Sequence, residues 1–152
     1  MQHDPKQYLL DAYLGEIGGE ASFLALIDRL PEHEDTLRLL AKVESDTATA
    51  LAPYLDETPN QSALADVQDK AQARMQKFKA TSWAEMIEDI LPIIEDALTR
   101  FIDAEQHAPS NLQGIYKTYT AHEQALADFL YLERDGKDGT RILRDYLDTL
   151  PR

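Results

Sequence analysis

Apolar residues recur every three or four positions along almost the whole chain, and runs that alternate between apolar and polar residues are scarce. Spacing of three and four residues places apolar side chains on one face of an α-helix, whereas alternation is typical of a half-buried strand. The pattern therefore predicts an all-α protein without a sheet. Six helices are expected, over residues 5–29, 32–55, 62–79, 83–106, 111–135 and 139–150.

Helix-start signals support three of these boundaries. Asp4 precedes a proline, and a capping residue followed by proline at the first helical position is a common helix start. Ser82 is followed three residues later by Glu85, and Ser110 is followed in the same way by a glutamine. This spacing is that of a capping box, so we expect both serines to cap helices.

The lengths of the connections predict how the helices are arranged. Short turns join 5–29 to 32–55 and 83–106 to 111–135, so each pair is expected to form an antiparallel hairpin. The long segment between the hairpins keeps helical spacing and is expected to be an amphipathic crossover helix. The sequence thus predicts one domain over residues 1–152, a four-helix bundle with a short C-terminal helix. An up-down-up-down bundle with 62–79 as an extra helix stays open.

Each of the four long helices carries a glutamate within its apolar stripe. Glu16, Glu44, Glu95 and Glu123 each continue a row of apolar residues spaced by three or four positions, and His122 lies on a neighbouring row. A buried carboxylate must be paired, protonated or bound to metal, because removing its charge from water is costly. These five residues are therefore the candidates for a metal site.

Counting from the two hairpin turns predicts which of these residues lie at the same height. Residues equidistant from a turn face each other, so Glu16 is matched with Glu44, and Glu95 with His122 and Glu123. All of them lie about 14 residues from their turn, or roughly 20 Å along the helix at the usual rise per residue. We therefore expect the four helices to contribute to one cluster near mid-height.

This arrangement resembles the ferritin-like superfamily over residues 5–135. The segments LLAKVESDTATAL and YTAHEQALADF are similar to its second and fourth helices. Di-iron members of that superfamily use one glutamate on each of two helices and Glu-x-x-His on the other two. The resemblance implies that Glu16 and Glu95 are the single glutamates and that Glu44 begins the motif of the second helix.

Both Glu-x-x-His motifs are incomplete in this sequence. Threonine stands three residues after Glu44, where the superfamily has histidine. On the last long helix, His122 follows Tyr119 rather than a glutamate, and Glu123 is followed three residues later by Leu126. The resemblance therefore concerns architecture and residue placement, and it implies a metal site of altered composition.

Two functions from different classes follow. Carboxylates with one imidazole suit iron or manganese, so the first is a metal-binding ferritin-like protein, with oxidoreductase activity left open. In the second, the glutamates lie at stripe edges, solvated or paired with lysine and arginine. The chain is then a non-catalytic helical bundle that acts through protein–protein contacts, with the apolar faces of 64–78 and 142–150 as docking or homodimer surfaces.

Composition narrows the classes of partner. The chain has 28 acidic and 15 basic residues and a formal net charge of −13. This balance argues against nucleic acid, whose phosphates require a basic face, and against an anionic membrane surface. The chain has no cysteine, which excludes disulfides and thiolate ligands. We expect a cytoplasmic protein, since neither a secretory signal nor a membrane-spanning stretch is visible.

The remaining histidines and Glu20 are weaker candidates for a functional site. His3, His33 and His107 lie outside the apolar stripes and are expected at the surface. Glu20 has no acidic residue opposite it at its height, so it is expected at a rim or a cavity. Three glycines, Gly15, Gly18 and Gly19, flank Glu16 in the first helix, which is unusual because glycine weakens helices. They are expected where a neighbouring helix approaches closely or where the site needs room.

Overall fold

The computed structural model describes residues 4–151, and this part of the chain contains helices and no strand. The all-α prediction is therefore confirmed. The six α-helices are α1 (Pro5–Ala25), α2 (Glu34–Leu51), α3 (Gln61–Gln76), α4 (Trp83–Gln106), α5 (Gln113–Arg134) and α6 (Thr140–Asp148).

All six helices lie where the sequence predicts them, and most differences concern their ends. Several predicted helices are longer than the observed α-helices. Most of the additional residues lie in short 3-10 turns that adjoin α1, α2 and α5. A final turn often tightens in this way, because 3-10 bonds satisfy backbone groups left without a partner at a helix end. These turns are Leu26–Asp28, Pro31–His33, Ala52–Tyr54 and Ser110–Leu112.

Two of the three predicted helix caps form. The Asp4 side chain accepts a hydrogen bond from the first turn of α1, and Ser82 Oγ accepts one from the Glu85 backbone N–H at 3.2 Å. The prediction for Ser110 is wrong. This residue begins a 3-10 turn, and α5 starts only after Leu112, without a side-chain cap.

The helices form two compact units, one ending at Lys79 and the other beginning at Ala80. In the first unit, α1 packs against both α2 and α3. The largest fully buried side chains of α1, the turn after it and α2 are all leucines, namely Leu9, Leu26, Leu30, Leu37, Leu40 and Leu51. The predictions of a single domain and of a ferritin-like bundle stay predictions.

The crossover segment is helical, as predicted, and it lies on α1. Ala71 is fully buried, and the other residues of its predicted apolar face are half-buried. Gly18 of α1 lies under this helix, because a Cβ added there would be 3.4 Å from Val67 Cγ1. Gly18 therefore faces a neighbouring helix, as the sequence predicted for these glycines, although a methyl group there would make only an ordinary contact.

In the second unit, α5 packs against α4 and α6. Tyr116 and Phe129 of α5 are completely buried, and so is Leu143 of α6. Gly139, just before α6, lies directly on α5, because a Cβ at this position would be 2.8 Å from the Phe129 carbonyl oxygen. The apolar face predicted for 142–150 is therefore used within this unit.

A carboxylate that the sequence did not single out holds the start of α4 and the start of α6 to the end of α5. Glu133 Oε1 accepts a hydrogen bond from the Trp83 indole N–H at 2.9 Å, and its Oε2 accepts one from the Gly139 backbone N–H at 2.7 Å. Gly136 then ends α5 in the left-handed conformation, with φ of 76°. Glu133 is thus a structural clamp for the second unit.

Within residues 4–151, no helix has the combination of length and apolar character that crossing a membrane requires.

Candidate metal-binding residues

Four of the five predicted metal-binding side chains are buried. The exposed fractions are 2% for Glu16, 6% for Glu44, 1% for His122 and 5% for Glu123, whereas Glu95 is exposed. Glutamate is among the residues that are almost never fully buried unless they have a partner. Three such residues, two in the first unit and one in the second, therefore mark unusual positions in the core.

Glu16 and Glu44 come together in the first unit, as their distances from the hairpin turn predict. A carboxylate oxygen of Glu16 lies within 4.8 Å of one of Glu44. Two unit charges at this separation repel by about 3.5 kcal/mol at an effective dielectric constant of about 20. A cation or a shared proton would offset that repulsion. The pair is therefore a suitable set of oxygen donors for a metal ion.

The backbone of α1 makes room for this pair. The Glu44 side chain lies over Gly19, which is three residues after Glu16 and therefore on the same side of the helix. The sequence predicted that a glycine would leave space near Glu16. It did not identify Glu44 as the side chain that uses this space, since that depends on how α2 lies against α1.

Thr47 occupies the position at which the ferritin-like motif has histidine. It is completely buried, and its hydroxyl donates a hydrogen bond of 2.7 Å to the Val43 carbonyl oxygen of the same helix. A threonine hydroxyl commonly bonds back in this way within a helix. The hydroxyl hydrogen is thus directed to the backbone, and α2 contributes Glu44 as its carboxylate donor.

In the second unit, the buried imidazole of His122 lies beside a carboxylate. His122 Nδ1 is 3.3 Å from Glu123 Oε2. The imidazole ring stacks on Tyr119 with centroids 5.6 Å apart, and the Tyr146 ring of α6 is 6.1 Å away. The stripe predicted through Glu123 is therefore buried, and its carboxylate is placed to orient the imidazole.

The predicted buried position of Glu95 is wrong. Ile94, one residue earlier, is buried in its place, since both positions fit the spacing of the stripe and the apolar side chain avoids the cost of burying a charge. Glu95 Oε2 instead accepts a hydrogen bond of 2.7 Å from the Tyr131 hydroxyl. This bond, more than burial, raises the pKa of Tyr131 above its usual value.

The other polar candidates lie outside these groups. Glu20 lines an open cavity of about 520 Å³ between α1 and α3, as the prediction of a rim or cavity allows. His107 is exposed and its ring nitrogen lies 2.9 Å from the Asp103 carbonyl oxygen. His33 is half-buried, which differs from the predicted surface position, and His3 lies outside the described residues.

Comparison with known proteins gave no relative: no family model matches the chain, and neither the curated proteins nor the solved structures contain a significant match.

Proposed function

We propose that this chain is a metal-binding helical protein of ferritin-like architecture. Its ion is bound by the carboxylates of Glu16 and Glu44, with the imidazole of His122 as nitrogen ligand. The observation that carries the proposal is the buried approach of two carboxylates within 4.8 Å of each other. The choice of His122 rests on the match of heights along the helices and on its burial.

The chemistry of these donors supports iron or manganese. Carboxylate oxygens alone would suit calcium or magnesium equally well, whereas one imidazole favours a transition metal. The chain supplies no thiolate, because it has no cysteine. Two carboxylates would neutralise the charge of a divalent ion, which makes its burial in a helical core less costly.

The incomplete motifs support one ion rather than a conventional di-iron centre. The superfamily pattern needs four carboxylates and two histidines. Here Thr47 replaces one histidine, Tyr119 replaces one glutamate, and Glu95 is exposed with its carboxylate bonded to a tyrosine. Three donors leave room for water or a small molecule on the ion.

Glu123 has a separate role in this proposal. Metal-bound histidines usually place their second ring nitrogen against a carboxylate, which fixes the orientation of the ring and increases its basicity. Glu123 Oε2 lies next to His122 Nδ1, so the metal would be bound through Nε2. We therefore propose Glu123 as the partner of the ligand rather than as a ligand itself.

The alternative function, a non-catalytic bundle acting through protein–protein contacts, has less support. The two apolar faces that suggested it pack on α1 and α5 within their own units. Large apolar side chains that stay exposed are scattered; two of them, Ile93 and Ile102, are nine residues apart and so on opposite sides of α4. Single exposed apolar residues are normal on a protein surface.

Manganese titration followed by electron paramagnetic resonance tests the proposal. The signal of free Mn²⁺ should fall by about one equivalent for the wild-type chain and should persist for Glu44→Gln, which keeps the volume but removes the charge. Glu20→Gln, one turn from Glu16 on the same helix, is the matched control and should bind like the wild type. Equal binding by Glu44→Gln and the wild type would contradict the proposal.

His122→Ala tests the nitrogen ligand separately. This variant should bind Mn²⁺ at least about tenfold more weakly if the imidazole belongs to the site, because losing even a residue that only orients a ligand costs about that much. Unchanged affinity would show that the carboxylates bind the ion without His122.

A further inference from the structure

Gly19 of α1 lies directly against the side chain of the proposed ligand Glu44. A Cβ built on its backbone would lie 2.9 Å from Glu44 Cδ and 3.2 Å from Glu44 Cγ, and closer still to Oε1. Real side chains do not approach a carboxylate carbon this closely. The Glu44 carboxylate therefore occupies the place in which any other residue at position 19 would put its first side-chain atom.

The neighbouring Gly18 does not make a comparable contact with Glu44. A Cβ on Gly18 would be 3.4 Å from Val67 Cγ1 and 3.9 Å from Arg74 Nη2, which are ordinary contact distances. Gly18 faces α3, whereas Gly19 faces α2 and meets the proposed ligand. Both residues are glycines at adjacent positions of α1, so a change at Gly18 controls for the effect that a glycine-to-alanine change has on the helix itself.

We infer that Gly19 is a positioning residue of the carboxylate pair, because the absence of a side chain there lets the Glu44 carboxylate lie on α1 beside Glu16. This inference rests on the proposed function. The group that an added methyl would meet is the end of a flexible side chain, not backbone. Alanine at position 19 would therefore move the carboxylate and leave the packing of α1 on α2 in place.

Gly19→Ala is therefore expected to affect the metal affinity and the stability of the metal-free protein differently. Alanine is a better helix former than glycine, so Gly19→Ala by itself favours α1. The same change displaces an oxygen donor of the proposed site. A residue with a merely structural role would alter the unfolding of the metal-free protein, whereas a positioning residue alters the metal affinity at unchanged or increased stability.

Mn²⁺ titration of the full chain, with thermal unfolding of the metal-free protein, tests the inference. Gly19→Ala should bind Mn²⁺ about tenfold to a hundredfold more weakly, the range found when a residue that orients a ligand is lost. Gly18→Ala should bind like the wild type. Wild-type affinity in Gly19→Ala, or an equal loss in both variants, would overturn the inference.

A second measurement does not depend on metal and separates the inference from the proposed function. In the Glu44→Ala background, Gly19→Ala should raise the melting temperature of the metal-free chain by more than it does in the wild-type background. An equal shift in both backgrounds would show that the methyl and Glu44 do not compete, and would overturn the inference. If the wild-type chain binds no Mn²⁺, the proposed function fails, and this comparison still decides the relation of Gly19 to Glu44.

Discussion

Replacing Glu133 by alanine should destabilise the second unit, because this one carboxylate accepts hydrogen bonds from two different helix starts. The Trp83 indole N–H donates to Oε1 at 2.9 Å, and the Gly139 backbone N–H donates to Oε2 at 2.7 Å. Both contacts are partly buried, and Gly139 itself is buried. Alanine would leave both donors without this acceptor.

The size of the effect follows from the two bonds. A hydrogen bond to a charged group contributes about 1.5–3 kcal/mol when it is well shielded and less when water can replace it. Since both contacts are only partly buried, we expect Glu133→Ala to lower the free energy of unfolding by about 2–3 kcal/mol. Glu133→Gln should cost about half as much, because its amide oxygen can still accept from one of the two donors.

Urea unfolding followed by tryptophan fluorescence measures this effect directly. Trp83 is the only tryptophan of the chain and belongs to the second unit, so its emission reports on the helices that Glu133 holds together. Glu88→Ala, an exposed change on α4, is the control and should stay within about 0.5 kcal/mol of the wild type. A change for Glu133→Ala as small as that of the control would refute the reasoning.

Three further predictions concern single positions. Gly136→Ala should cost about 1–2 kcal/mol in urea unfolding, because φ of 76° at the end of α5 is unfavourable for a residue with a Cβ. Gly139→Ala should cost about 1–3 kcal/mol, since its methyl would meet α5 backbone, whereas Gly114→Ala, with nothing within 4 Å, should be neutral or stabilising. Glu95→Gln should lower the raised pKa of Tyr131, measured as a difference in ultraviolet titration against Tyr131→Phe. Because this pKa is raised in the folded state, the stability that the bond provides should be present below about pH 10 and lost as the pH rises through the folded-state pKa.

Periodicity was sufficient to predict all six helices, because amphipathic helices repeat the same signal over several turns. Caps were less predictable. The serine at position 82 caps α4, whereas Ser110, with the same spacing to a polar residue, begins a 3-10 turn. The first or last turn of a helix is often a 3-10 turn, so the spacing of a capping box does not by itself determine which residue caps the α-helix.

The candidate site was predictable where geometry along the chain determines it. Glu16 and Glu44 are equidistant from one tight turn, so their approach follows from counting residues. Glu95 was misplaced because Ile94 fits the same stripe, and only the rotation of α4 in its unit decides which residue is buried. The pairing of Trp83 with Glu133, 50 residues apart, left no signal in a single sequence.

The residue that lies against Gly19 could not be predicted from the sequence. Glycine inside a helix signals that something lies close to the backbone, but not what it is. The answer depends on the conformation of a side chain on α2, which periodicity does not report. Gly19, which is unfavourable for the helix itself, lies against Glu44 and is therefore part of the proposed site.

The most direct test of the central claim is the metal content of the wild-type chain, purified without a chelating tag and then titrated with Mn²⁺ or Fe²⁺ under thermal unfolding. The account predicts about one equivalent of bound ion and a melting temperature that rises with the metal concentration, since a ligand that binds only the folded state stabilises it. Less than about a tenth of an equivalent, with an unchanged melting temperature at saturating metal, would contradict it.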